Sequence, residues 1–177
     1  MSDSNDINIL IGDIQKTLQK KDEIRAIYRS FKSREEPLLQ KDLYAFMILS
    51  EIFTNFYTCI ETAFVRISKF FENNVSRERW HKDLLEKMTL DIPGVRPRVL
   101  SGNLYLALEE FLRFRHFKRY YFEFNYDPKR MAYLESRFEE TVDAVSAELC
   151  EFIEKLRLLQ TKLGMAGDEL PLERSPD

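Results

Sequence analysis

From Arg113 to Tyr121 the chain reads RFRHFKRYY, which sets three arginines, a lysine, a histidine and four aromatic rings within nine residues. Guanidinium groups match the charge and geometry of phosphate oxygens, and imidazole is the side chain best suited to moving a proton near neutral pH. Together they point to displacement at phosphorus in RNA, whose own 2'-hydroxyl can serve as nucleophile without a metal-activated water. Arg115, His116 and Arg119 are the candidate catalytic groups, and Arg113, Lys118 and Arg119 the candidate RNA contacts. In a helix, Arg115 and Arg119 share a face with Leu104, Leu108, Leu112 and Phe122 and so interrupt an apolar stripe. Arginines so placed either pair with carboxylates of other helices or line a cleft that takes an anion.

A plain structural reading of the same run stands beside this one. Basic residues near a helix C-terminus balance the helix dipole, Arg113 and Lys118 can be solvated, and Glu109 is spaced for an intrahelical pair with Arg113. His81, between Trp80 and Lys82, reads as a surface residue. Cys59 and Cys150 form no CxxC or Cys/His cluster, so they signal neither a disulfide framework nor a zinc site and read as buried thiols. GxGxxG, GxxxxGK[ST], GxSxG and HExxH are all absent from the sequence, and no metal or cofactor is implied.

These residues must be positioned by helices. The chain has 177 residues, 44% hydrophobic and 32% charged, the composition of one ordinary globular domain. We assign that domain to residues 1–165 and a polar, mobile tail to 166–177. With a net charge of -3, any basic site has to be local. The start, MSDSNDINIL, lacks a secretory pattern, and no run approaches the roughly 18 apolar residues of a membrane span, so a cytoplasmic protein with no membrane partner is expected.

Glycine and proline are few and clustered, leaving long uninterrupted segments. Ile7 to about Phe31 carries helical apolar spacing, and Ser33 with Glu36 resembles a capping box before Pro37, which opens a second segment. That segment steps through Leu39, Leu43, Phe46, Ser50, Phe53, Tyr57, Ile60, Phe64, Ile67 and Phe71, with a second stripe from Ala45 to Ala63, and is the central element. Ser76 caps a short helix from about Arg77 to Leu90, with Trp80, Leu84, Leu85 and Met88 inward, and Asp91 to Leu100 is a loop. Ser101 or Asn103 opens a fourth helix that ends near Tyr121. After a turn at Asn125, Tyr126 and Asp127, with Asp127 as N-cap and Pro128 at the first helical position, a fifth runs from Met131's stripe to Leu163, where Gly164 stops it. The fold class is all-α: an up-and-down bundle of four long helices and one short one.

The blocks RERWHKDLLEKMTLDIPGVRPRVLS and LEEFLRFRHFKR resemble the HepT-like proteins of the HEPN superfamily, which pair "WH..LL..M" and "IPGVRP.VLS" with "YLRFRH..R". The resemblance runs from about Leu43 to Phe152 and is most specific from Trp80 to Arg119. It implies a HEPN-like bundle that forms a homodimer with two Arg/His helices facing each other, cutting RNA without metal. It further implies the toxin role in a prokaryotic toxin-antitoxin pair, whose nucleotidyltransferase-type antitoxin can modify a tyrosine beside the motif. The arginine of the family's R-x4-H-x-Y motif falls on Arg115, its histidine on Tyr120 and its tyrosine on Phe122. The motif is therefore degenerate: either His116 takes over proton transfer, or the chain is a noncatalytic relative that binds RNA, a nucleotide or a partner. Tyr120 and Tyr121 are the displaced candidates for modification.

Overall fold

The computed structural model describes residues 4–34, 43–72, 80–120 and 126–168. Five helices follow one another: α1 (Ser4–Arg34), α2 (Leu43–Glu72), α3 (Trp80–Lys87), α4 (Gly102–Tyr120) and α5 (Pro128–Asp168). Cross-helix contacts give their directions. Arg25, Arg29 and Lys32 of α1 meet Asp143, Glu139 and Glu135 of α5 in reversed order, so the two are antiparallel. Glu61 and Glu51 of α2 meet Arg115 and Lys118 of α4 in the same reversed sense. The bundle is up-and-down, as the apolar periodicity requires.

α2 is the centre and touches all the other helices. Both of its stripes are buried, Phe46, Ser50, Phe53, Tyr57, Ile60, Phe64 and Ile67 in one and Ala45, Leu49, Ile52, Phe56 and Ala63 in the other. Phe53 and Phe56 meet Phe111 of α4 edge-on at 5.7 and 5.4 Å, and both pack on Phe138 of α5. Contrary to the sequence expectation, α2 is long and apolar enough to cross a membrane, its most apolar 18 residues having a mean hydropathy of 1.3, but half of that stretch is buried inside the bundle. Its apolarity fills the core on two sides.

Several boundaries differ from the sequence reading. Ser33 lies inside α1, where its hydroxyl donates to the Ser30 carbonyl rather than capping a new helix, and Glu36 and Pro37 lie outside the described residues. Leu43 is exposed, while Leu39, Ser76, Tyr121 and Asn125 lie outside the described residues. α3 ends at Lys87 rather than near Leu90, because Thr89 and Leu90 leave it through tight turns onto Glu86 and Lys87, and Arg77 lies outside the described residues. α5 passes Gly164 and continues to Asp168, since one glycine costs only about 1 kcal/mol and keeps its backbone hydrogen bond. From residue 169 on, the expected tail lies outside the described residues. Cys59 is half-buried, with its thiol donating to the Thr17 carbonyl, whereas Cys150 is exposed because it faces away from α5's apolar stripe.

The connection between α3 and α4 is a rigid clamp. Gly94 turns it with a φ of 75°, a left-handed conformation that suits glycine. Arg96, buried, donates to Glu72 at the end of α2 at 2.8 and 2.9 Å and to the carbonyls of Lys87 and Leu90. The Ser101 hydroxyl caps α4 by accepting from the Leu104 amide at 3.2 Å and donates to Glu148 of α5 at 2.6 Å. Asp127 caps α5 through the Lys129 amide at 2.9 Å, with Pro128 in the first helical position. The orientation of α3 against α4 is thereby fixed.

Candidate functional site

Leu104, Leu108, Phe111 and Arg115 step along α4 by four, three and four, so Arg115 continues the buried face. A cation there needs a partner, and α2 supplies one. Arg115 Nη1 donates to Glu61 Oε2 at 2.6 Å, with side chains only 14% and 6% exposed. The guanidinium also lies over the Tyr57 ring, 5.7 Å from its centroid. Burial pushes the Tyr57 phenol far above its ordinary range, and its hydroxyl is buried with no hydrogen-bond partner among the described residues. Of the two placements open for Arg115, pairing with a carboxylate is the one found.

The other oxygen of Glu61 faces α3. His81 Nδ1 lies 2.6 Å from Glu61 Oε1, and the imidazole is 14% exposed. The reading of His81 as a surface residue is therefore corrected: α3 turns it inward over α2, alongside buried Leu84 and Leu85. One buried carboxylate thus holds a histidine from α3 and an arginine from α4.

His116 meets His81 edge-on, with ring centroids 5.3 Å apart. Its pKa is lowered from the ordinary 6.5, first by burial and then by the charges of His81 and Arg115, so the neutral imidazole is favoured. Both histidines line a cavity of about 390 Å³ between α3 and α4, within the size range of small-molecule and nucleotide pockets.

The rim is mixed in charge. Arg113 pairs with Glu109 and Glu110 at 3.0 and 3.2 Å, the intrahelical contact the sequence anticipates, and Lys82 approaches Glu109 at 3.4 Å. Lys118 reaches Glu51 of α2 at 2.5 Å. Arg119 is exposed and has no carboxylate partner among the described residues. Tyr120 ends α4, and Tyr121 lies outside the described residues. Of the sequence candidates, the structure brings Arg115, His116 and Arg113 to this region, while Lys118 and Arg119 lie further along α4. Glu61 and His81 are the members that sequence reasoning missed. A signal for Glu61 existed, a carboxylate on the buried stripe between Tyr57 and Phe64. Among the described residues, no group of three or more His, Cys, Asp or Glu side chains is gathered to hold a metal ion.

The all-helical bundle with an Arg-His pair on its fourth helix is of the HEPN type. A model of the HepT-like protein family matches residues 48–156, well over half of the chain, and the chain belongs to that family. The match takes in Tyr57, Glu61, His81, Arg115 and His116 and leaves α1 outside. No curated protein and no solved structure matches the chain.

Proposed function

We propose that this HepT-like protein is an endoribonuclease, the toxin half of a prokaryotic toxin-antitoxin pair, cutting RNA without metal in a cytoplasmic homodimer. His116 carries the reading: a half-buried imidazole held towards its neutral form, beside Arg115, on the wall of a nucleotide-sized cavity. His116 accepts the proton of a ribose 2'-hydroxyl, the 2'-oxygen attacks phosphorus, and the P–O5' bond breaks. The 5'-oxygen leaves with a proton from an acid, giving a 2',3'-cyclic phosphate and a 5'-hydroxyl. Arg113, Lys118 and Arg119 contact flanking phosphates, and Tyr120 and Tyr121 are the sites an antitoxin nucleotidyltransferase would modify. Mass spectrometry of the cleaved ends tests the chemistry: cyclic phosphates are expected, and 5'-phosphate ends overturn it. Light scattering tests the dimer, which a particle of one 21.2 kDa chain contradicts.

The Arg115–Glu61 pair favours a second reading, because it commits the motif arginine inside the protein. In that reading the fold binds RNA or a partner without cutting. Binding without cleavage by the wild type, with cleavage gained on Tyr120→His, decides for it.

A further inference from the structure

Transesterification of RNA moves two protons, one from the 2'-hydroxyl and one to the departing 5'-oxygen, and His116 accounts for only the first. The position where the family motif has its histidine holds Tyr120, and a phenol with a pKa near 10 is a poor partner for proton exchange at neutral pH. The structure offers another imidazole. His81 comes from a different helix, lines the same cavity as His116, and stands edge-on to it at 5.3 Å between centroids.

We infer that His81 is the general acid of the cleft, giving a proton to the 5'-oxygen as the P–O5' bond breaks while His116 takes the proton of the 2'-hydroxyl. The inference rests on the ribonuclease reading and adds to it a catalytic group on α3. The protons balance: His116 gains one, His81 loses one, and an exchange through solvent resets both. In a protonated imidazole both nitrogens donate, so Nδ1 stays bonded to Glu61 while Nε2 serves the substrate. Glu61 has a fixed orientation because its second oxygen is tied to Arg115 at 2.6 Å. A carboxylate on one ring nitrogen sets the orientation and tautomer from which the other acts, as in other acid-base pairs.

Glu61 and Arg115 are therefore positioning residues, acting on substrate through His81. Burial, His81 from α3, and Arg115 and Arg119 from α4 hold His116 towards the neutral, proton-accepting form, against the opposing pull of the Glu61 carboxylate from α2.

The test uses one oligoribonucleotide in two forms, once the wild-type cleavage site has been mapped. In the second form the bridging 5'-oxygen at that site is replaced by sulfur, which leaves as a thiolate and needs no proton. His81→Asn keeps an amide N–H near the place of Nδ1 for Glu61 but removes the acid. It should slow cleavage of the oxygen form about 10²- to 10⁴-fold and leave the sulfur form close to wild-type rate. His116→Ala should be slow on both. Equal slowing of both forms by His81→Asn overturns the inference and makes His81 a structural residue, and unchanged cleavage of the oxygen form overturns it as well. Both of those outcomes leave the ribonuclease reading in place. A folded wild type that cleaves no RNA, so that no site can be mapped, overturns the reading and the inference together. His81→Ala, checked for folding by circular dichroism, must show the same sulfur rescue.

Discussion

Glu61 of α2 stands between His81 Nδ1 and Arg115 Nη1 with 2.6 Å to each, so that the charge-bearing groups of three helices meet on one buried carboxylate. Removing one member of a buried ion pair leaves the other unpaired in a poorly solvated place, at a cost of about 3–5 kcal/mol. Glu61→Ala should destabilise by about that much in urea unfolding, and Glu61→Gln by less because an amide oxygen still accepts. A loss below about 1 kcal/mol for the alanine variant would show that the carboxylate does not anchor the site.

Phe53 tests the core that carries these helices. It is fully buried and packs against Phe111, Phe114 and Phe138 at 5.7, 6.1 and 5.4 Å. Phe53→Ala should cost about 3–5 kcal/mol, the range for deleting a phenylalanine from a packed interior. A melting temperature unchanged from wild type would contradict the packing.

The pH behaviour follows from His116. Its pKa is lowered in the folded protein, so the unfolded chain takes the proton first as pH falls through about 6.5. Its contribution to stability is therefore present above that pH and is lost on acidification, and the neutral base persists below pH 6.5. An NMR titration of the imidazole should give a midpoint below 6.5, and the acid limb of kcat/KM should follow it. A midpoint above 6.5 would mean that Glu61 outweighs burial and the neighbouring cations.

Arg119 is exposed near the end of α4 and should act on the phosphate backbone. Each phosphate neutralised on single-stranded RNA contributes a slope of about -0.7 in log affinity against log salt. Arg119→Ala should weaken binding and reduce that slope by about this amount, measured by fluorescence anisotropy across a salt series. An unchanged slope would place Arg119 off the RNA path.

Much of the fold is legible in the sequence because it rests on local rules. The spacing of Phe46, Phe53, Tyr57, Phe64 and Ile67 makes one helical face, and Asp127 before Pro128 marks a helix start whatever lies around it. Gly164 misleads because a glycine weakens a helix without ending it. The site is only half legible. Arg115 and His116 stand out in a dense basic run, whereas the partners of Arg115 and His81 are 54 and 20 residues away in sequence. His81, followed by Lys82 and Asp83, looks like surface until the Arg96 clamp fixes α3 and turns the ring onto Glu61. That contact belongs to tertiary packing, and periodicity carries no trace of it.

On the proposed reading, His116 serves RNA cleavage that needs no metal. Cleavage of a labelled RNA by wild type and His116→Ala in excess EDTA tests it most directly. Full wild-type cleavage under chelation and a fall of about 10²- to 10⁴-fold for the variant are expected. Full cleavage by His116→Ala, or wild-type cleavage abolished by EDTA, would contradict it.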